Sequence, residues 1–225
     1  LVRASGSDLG FVIGPHGEEA TIVDDEGVVL DRDQALLLLV VLVARHHPGA
    51  RIALPVSTTA HAARLAAEHG ADVVWTPTGD AGLQEVAAQG DVTFAASRDG
   101  AYIWPDFLPA SDASVTLAKL LDLLARGDQP LSALVRELPS VHLARESVPT
   151  PWERKGAVMR ELVERVPPES LVLIDGVKIR RDDGWVLVLP DPEEAVTHVL
   201  AEASTMAEAR QVAQEYARRI RQTVR

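Results

Sequence analysis

The amino-acid sequence predicts an α/β protein with two domains. We expect a mostly parallel three-layer αβα domain, followed by a smaller α+β domain with a four-stranded antiparallel sheet and two helices. In the first half, short apolar segments alternate with helical segments of roughly ten to fifteen residues, a pattern typical of βαβ crossovers. In the second half, Asp-Gly pairs at positions 175–176 and 183–184 separate short apolar runs, which favours antiparallel hairpins.

The first half contains one strongly predicted helix among alternating elements. Asp31 and Gln34 have the spacing of a capping box, and the run from Ala35 to Ala44 is apolar on every face. Such a helix is expected between two layers, because none of its faces suits water. The other predictions for this half are a hairpin at 11–23, strands at 51–56, 72–75, 92–95 and 101–104, and helices at 57–70, 79–89 and 111–126, the last being the longest of this half.

The second half is predicted to follow a connector that holds a short strand at 141–144. Thr205 and Glu208 form a second capping box, and the helix they begin should end near residue 223. The other predictions are a helix at 152–166 and strands at 171–174, 177–181, 185–189 and 196–201. The predicted divisions of the chain are a hairpin region at 1–30, the αβα domain at 31–128, the connector at 129–150 and the α+β domain at 151–225.

Composition argues against several classes of function. The formal net charge of −11 works against binding to nucleic acid or to an anionic membrane, since both need a basic surface. The absence of cysteine excludes disulfides and thiolate metal sites, which suits a cytoplasmic protein. The longest apolar run is about ten residues, whereas a bilayer span needs roughly twenty. We therefore expect a cytoplasmic protein with neither nucleic acid nor membrane as a partner.

Four segments, in order along the chain, resemble one family of enzymes. Residues 8–27 read DLGFVIGPHGEEATIVDDEG, residues 31–34 read DRDQ, residues 75–80 read WTPTGD, and residues 175–190 contain DGVKI and DGWVLVLP. These segments resemble the α-D-phosphohexomutases, the phosphomannomutase and phosphoglucomutase family. The resemblance implies the family's third and fourth domains, with residues 1–30 as the remnant hairpin of the domain before them. It also implies that roughly the N-terminal half of such a protein lies outside this chain.

The segment that resembles the family's metal loop has lost most of its charges. In the family three alternating Asp residues hold Mg²⁺, and the corresponding positions here are Gly14, His16 and Glu18. Mg²⁺ prefers oxygen ligands such as carboxylates, while imidazole suits transition metals. We therefore predict no Mg²⁺ and no other cofactor. A Zn²⁺ or Mn²⁺ site at His16 is the alternative to a solvated turn.

Two other loops keep part of the family pattern. The family's sugar-reading loop uses a Glu and a Ser, and only the glycine is kept in its counterpart here. Arg98 is the one side chain of that loop that could hold a sugar or a phosphate by itself. The sugar-loop equivalents are Ser97, Arg98, Asp99 and Gly100. The retained turn consists of Thr76, Pro77, Gly79 and Asp80, although the Lys that usually follows is Ala81.

The segment that resembles the family's phosphate clamp differs most from the family. The clamp presents an Arg, two hydroxyls and open backbone N–H groups to a phosphate dianion. Here the Arg position is a leucine, and three carboxylates would face the phosphate. Each like-charge contact costs on the order of several kcal/mol, so we predict that phosphate does not bind. The residues concerned are Leu189, Asp191, Pro192, Glu193 and Glu194.

These departures predict a catalytically inactive, mutase-like region. The resemblance implies a structural or regulatory module fused behind a sugar-nucleotidyltransferase of the mannose-1-phosphate guanylyltransferase type, with the upstream domains as its partner. The alternative is an active phosphohexomutase whose remaining catalytic residues lie upstream. A third interpretation is a sugar-phosphate sensor without catalysis, which depends on Arg98. A sugar phosphate and a second copy of the chain stay open as further partners.

Overall fold

The computed structural model describes residues 1–224, which form two compact units. The N-terminal unit ends at Ser140 and the C-terminal unit begins at Val141. No helix in the described part of the chain combines the length and the apolar character needed to cross a membrane.

The N-terminal unit opens with a short helix and a separate hairpin, and then alternates helices and strands around one sheet. The first elements are α1 (Val2–Ser5), β1 (Gly10–Ile13) and β2 (Ala20–Val23). The elements that follow are α2 (Arg32–His46), β3 (Arg51–Pro55), α3 (Ala60–Glu68), β4 (Asp72–Thr76), α4 (Asp80–Ala88), β5 (Phe94–Ala96), β6 (Tyr102–Trp104), β7 (Leu108–Ser111), α5 (Ala113–Leu124) and α6 (Leu131–Arg136). The sheet has the strand order β4-β3-β5-β6-β7.

The N-terminal sheet is mixed, with two parallel and two antiparallel pairings. Strand β3 pairs parallel with β4 and β5, whereas β5 pairs antiparallel with β6, and β6 with β7. The short link at 97–101 explains the change, because a parallel crossover needs about a dozen residues or more. Strand β7 was not predicted. It contains Pro109 and lies at the sheet edge, where proline is tolerated.

Helix α2 is the centre of the N-terminal core, as its sequence predicts. The Asp31 side chain accepts from the Gln34 backbone N–H at 2.8 Å, and Gln34 Oε1 accepts from the Asp31 N–H at 3.0 Å. All residues from Ala35 to Ala44 are buried, and each buried leucine or valine contributes roughly 1.5–3 kcal/mol. Helix α2 has 15 residues and α5 has 12, so the prediction that 111–126 is the longest helix of this half is wrong.

The C-terminal unit is an antiparallel sheet whose core includes residues from both long helices. Its elements are β8 (Leu143–Pro149), α7 (Trp152–Glu164), a 3₁₀ turn (Pro168–Ser170), β9 (Leu171–Val172), β10 (Val177–Arg181), β11 (Gly184–Pro190), β12 (Val196–Glu202) and α8 (Met206–Val224). The strand order is β8-β12-β11-β10-β9. Val158 and Leu162 of α7 and Ala213 and Tyr216 of α8 belong to the same core cluster as the inward-facing strand residues.

The C-terminal sheet has five strands where four were predicted. The additional strand is β8, which pairs with β12 along its whole length, from Leu143–Glu202 to Pro149–Val196. The predicted strand at 141–144 covers only the start of β8. The polar stretch Arg145–Ser147 obscures the alternation of apolar and polar side chains that would have predicted the rest. Ala144 and Val148 nevertheless face the core. The predicted fold class is confirmed, with these differences in strand number and direction.

Candidate functional site

Two of the singled-out loops lie at one edge of the N-terminal sheet. Strands β4 and β5 both run parallel to β3, so their carboxyl ends lie at the same edge. Thr76 ends β4 and the retained turn follows it, while the 97–100 loop follows β5. In open α/β sheets this edge is where ligands bind. The structure therefore brings together two loops that lie far apart in the sequence.

The 14–19 turn packs against the 97–100 loop through the backbone. The Ala20 N–H, directly after the turn, donates to the Gly100 carbonyl at 3.0 Å, and the turn also contacts α5, whose Ala113 N–H donates to the Gly17 carbonyl at 2.9 Å. Gly100 has a φ of +91°, and a Cβ there would lie 2.9 Å from the Ala20 carbonyl oxygen. The close approach of the hairpin backbone thus gives this glycine a structural reason for its presence, independent of sugar binding.

The side chains of the 14–18 segment do not fit Mg²⁺. His16 and Glu18 are solvent-exposed and Gly14 has no side chain, so one carboxylate remains in the frame. Within residues 1–224, no group of three or more His, Asp or Glu side chains is placed to hold a metal ion. Since hard cations require several oxygen ligands, no step that involves Mg²⁺ is assigned to this loop.

Arg98 is held by a carboxylate of helix α2. Its Nε donates to Asp33 Oδ1 at 2.7 Å and its terminal nitrogen donates to Asp33 Oδ2 at 2.8 Å, a bidentate pair. The hydrogen bond to Asp33 raises the pKa of Arg98, and burial only partly opposes this. The guanidinium proposed as a free anion-binding group is therefore already occupied, which weakens the sensor interpretation.

A second ion pair crosses the first. Arg32 donates to Asp99 Oδ1 at 2.7 Å. The 97–100 loop and the first turn of α2 therefore each contribute one cation and one anion. This outer pair is exposed, with 66% and 71% of the two side chains accessible. The inner pair is better shielded, with 41% for Arg98 and 15% for Asp33. Together they tie the 97–100 loop to the first turn of α2.

The two pairs should differ in their effect on stability. We expect Arg98→Met to lower the free energy of unfolding by about 1–2 kcal/mol, because a bidentate and half-buried carboxylate interaction is lost. Arg32→Met should cost less than about 0.5 kcal/mol, since exposed pairs contribute little. Urea denaturation of the two variants measures both values. Equal losses would contradict the assignment of the inner pair as the stabilising one.

The retained 76–80 turn also has a structural explanation. The Thr76 carbonyl accepts from the Val56 N–H at 2.9 Å, and the Thr76 hydroxyl donates to the Pro77 carbonyl at 3.0 Å. Gly79 caps α4 with a φ of +94°, which favours glycine. Asp80 is the exposed first residue of α4, where a negative charge suits the helix dipole.

In the C-terminal unit, the loop between β11 and β12 holds its own carboxylate. Asp191 Oδ1 accepts from the backbone N–H groups of Glu193 and Glu194, both at 2.8 Å. Asp191 Oδ2 lies 3.0 Å from His198 Nε2. The Glu193 N–H lowers the pKa of Asp191 most, followed by His198, to about 2. Asp191 is therefore an internal acceptor in this loop and not a free surface charge.

A comparison with known families decides what most of the N-terminal unit is. Residues 31–142 match the family described as phosphoglucomutase/phosphomannomutase, alpha/beta/alpha domain III. This region is a phosphoglucomutase/phosphomannomutase-family domain.

Similarity to proteins of this family extends over nearly the whole chain. A probable phosphoglucosamine mutase of Methanopyrus kandleri is 30% identical over 226 residues, which cover 99% of this chain and 50% of that protein. A phosphoglucomutase/phosphomannomutase of Thermococcus kodakarensis is 28% identical, over 94% of this chain and 46% of that protein. The chain thus spans about half the length of these relatives.

A solved structure shares the fold. The phosphoglucomutase/phosphomannomutase family protein from Burkholderia thailandensis superimposes with a TM-score of 0.78 at 24% identity, over 99% of this chain and 48% of that protein. At this level of identity the likeness shows the fold, which here includes both units.

Three polar residues with a part in these sites were missed by the sequence analysis. Lys155 of α7 is buried and donates to the carbonyls of Asp191, at 2.6 Å, and Glu194. The second is His198, which contacts Asp191, and the third is Asp33, which accepts from Arg98. The register of β11 with β12 places His198 opposite Leu189, so a correct strand pairing would have pointed to His198. Nothing in the sequence pattern pointed to Lys155.

Proposed function

We propose that this phosphohexomutase-family region is catalytically inactive and serves as a structural or regulatory module of a larger enzyme. The enzyme class we infer is that of sugar-nucleotide synthesis, of the mannose-1-phosphate guanylyltransferase type. The upstream domains would be its partner and the cytoplasm its location. The observation that carries the proposal is the internal hydrogen bonding of Asp191.

The N–H groups that a phosphate would need are used within the loop. Those of Glu193 and Glu194 donate to the Asp191 carboxylate. The Asp191 N–H donates to the Val196 carbonyl of β12 at 3.0 Å, and the Val196 N–H donates to the Glu194 carbonyl at 2.8 Å. Pro192 has no N–H. A phosphate would have to displace a carboxylate that is covalently part of the loop, which has a high effective concentration. The loop therefore supports a role without phosphate binding.

The residues that determine the fold are present, whereas the residues that the family resemblance assigns to catalysis are replaced. Both capping boxes are in place, and the two Asp-Gly pairs lie at the β9–β10 and β10–β11 connections. The metal-loop frame has one carboxylate, Arg98 is paired with Asp33, and Leu189 replaces the arginine that the family resemblance implies. A module whose role is to fold and pack against other domains needs the first set and not the second.

We expect the isolated chain to show no saturable binding of phosphate. In a ¹⁵N NMR titration with inorganic phosphate or mannose 6-phosphate at constant ionic strength, the amide signals of Glu193 and Glu194 should not shift saturably. A midpoint below about 1 mM, within the range of ordinary enzyme KM values, would contradict the proposal.

A pair of variants tests the internal acceptor directly. Asp191→Ala should speed amide hydrogen exchange at Glu193 and Glu194 by about tenfold or more, since each loses a charge-assisted hydrogen bond. Glu193→Gln is the matched control, because it removes a charge from the same loop without removing an acceptor of these bonds. Equal exchange rates in the two variants would show that Asp191 does not occupy these donors.

The alternative is an active phosphohexomutase whose remaining catalytic residues lie outside this chain. It is favoured by the 30% identity to a probable phosphoglucosamine mutase, which extends over 99% of the chain. The two proposals predict opposite results in the activity assay described in the Discussion.

A further inference from the structure

A continuous chain of hydrogen bonds in the C-terminal unit joins a serine, a histidine and an aspartate. Ser147 of β8 and His198 of β12 are direct cross-strand partners. Ser147 Oγ lies 3.0 Å from His198 Nδ1, and His198 Nε2 lies 3.0 Å from Asp191 Oδ2. The proposed module function uses Asp191 but neither Ser147 nor its contact with the imidazole.

The carboxylate determines where the protons lie. The pKa of Asp191 is lowered to about 2 by the N–H groups of Glu193 and Glu194 and by His198. At neutral pH this carboxylate is ionised and can only accept, so His198 Nε2 carries the proton that it donates. In the neutral imidazole Nδ1 then keeps its lone pair and accepts from the Ser147 hydroxyl. The imidazole is thus oriented to remove the serine proton.

Ser147 is the most accessible of the three side chains. Ser147 is solvent-exposed on the edge strand β8, while 14% of the His198 side chain and 22% of the Asp191 side chain are accessible. Arg145 lies two residues before Ser147, on the same face of β8, and is exposed. It makes no ion pair with any residue from 1 to 224. A free cation therefore lies next to the hydroxyl.

We propose that Ser147 is an activated nucleophile that accepts acyl groups from small esters. Its Oγ attacks the ester carbonyl while His198 Nδ1 takes the hydroxyl proton and Arg145 stabilises the negative oxygen of the tetrahedral intermediate. The intermediate expels the alcohol, which receives the proton from His198. Water, deprotonated by the same imidazole, then hydrolyses the acyl-serine. The sum is ester plus water giving acid plus alcohol, with no oxidant or metal required.

This inference is independent of the proposed module function. Phosphate binding at the 190–195 loop and nucleophilic reactivity at Ser147 are measured in separate experiments, so either can fail without the other. The competing explanation is a passive contact between cross-strand neighbours, in which the serine would react no faster than any other exposed serine.

Labelling with an alkyl fluorophosphonate tests the nucleophile. The chain is incubated with the reagent at neutral pH and the modified residue is found by peptide mass spectrometry. We expect stoichiometric labelling at Ser147, none there in Ser147→Ala, and unchanged labelling in Ser204→Ala. Ser204 is the matched control, an exposed serine with no side-chain partner among the described residues.

The partners of Ser147 decide between activation and mere exposure. His198→Gln should slow labelling by about 100-fold or more, the usual contribution of a general base. Asp191→Asn should slow it by at least about tenfold, because the imidazole loses the group that sets its tautomer. Should His198→Gln fail to fold, as judged by circular dichroism, the result for Asp191→Asn decides. Absence of labelling, labelling of Ser204 at the same rate, or a rate unaffected by both substitutions would each overturn the proposal.

Discussion

The protein that carries this chain should show no interconversion of hexose 1- and 6-phosphates above background, even with a hexose bisphosphate activator and Mg²⁺. Phosphoryl transfer depends almost entirely on positioning and on stabilisation of charge. In this chain one carboxylate remains at the three positions that correspond to the family's metal ligands. Arg98 is paired with Asp33, and Asp191 occupies the N–H groups of the 190–195 loop. We therefore expect none of these three places to stabilise a transferring phosphoryl group.

Reversal of single substitutions should not restore turnover. Leu189→Arg alone leaves Asp191 bound to the two amides and Glu193 beside them, so phosphate stays excluded. The combination Leu189→Arg, Asp191→Ser, Pro192→Gly and Glu193→Thr rebuilds the clamp that the family resemblance implies. We expect this combination to bind phosphate in the NMR titration and still to give no turnover, because the metal frame remains incomplete.

The assay is a coupled measurement of mannose or glucose 6-phosphate formed from the 1-phosphate. A rate of about 1 s⁻¹ or more for the native protein, an ordinary value for an enzyme, would establish the alternative of an active phosphohexomutase. Turnover by the rebuilt combination alone would show that the loop, and not the metal frame, blocks the chemistry.

Gly184→Ala should destabilise the C-terminal unit strongly. Gly184 has a φ of +148°, and a Cβ there would lie 2.0 Å from the Glu202 carbonyl oxygen and 2.7 Å from its carbonyl carbon. Glu202 belongs to β12, which is paired with β11 at this point, so the two strands would have to separate. Backbone strain and a lost strand contact together should lower the free energy of unfolding by about 4 kcal/mol or more.

A glycine-to-alanine substitution elsewhere in the unit should raise the free energy of unfolding instead of lowering it. Gly156 lies in the middle of α7, is exposed, and has no atom within 4 Å of a Cβ built on it. Gly156→Ala should stabilise the unit by about 0.5–1 kcal/mol, because alanine favours the helix and restricts the unfolded chain. Thermal unfolding of both variants measures the difference. A similar midpoint for the two would show that the strand contact at Gly184 is not tight.

Local signals in the sequence were sufficient for several elements. Asp31 and Gln34 lie three residues apart, so their capping box needs nothing beyond the first turn of α2. The two Asp-Gly pairs lie where the chain passes from β9 to β10 and from β10 to β11, as the hairpin pattern predicts. The ten-residue apolar run predicted a buried helix because every face of it avoids water. In each case the signal in the sequence lies within a few residues of the element that it predicts.

Other features depended on partners that no local pattern names. The prediction for β8 was too short because its polar residues obscure the alternation of side chains. In the structure, pairing with β12 extends the strand to Pro149. Arg98 was visible as a cation, but Asp33 is 65 residues away and only the packing of the loop on α2 brings them together. A side chain's charge is present in the sequence, whereas its neighbours are set by register and packing.

The 190–195 loop shows this division most clearly. The sequence by itself determined that an arginine and a glycine expected from the family resemblance are absent, and that carboxylates stand nearby. The tertiary structure decided what one of those carboxylates does. Because β11 and β12 place His198 beside Leu189, and the turn places two N–H groups beside Asp191, this side chain becomes the loop's own ligand. The proposed exclusion of phosphate therefore rests on occupied N–H donors as well as on charge.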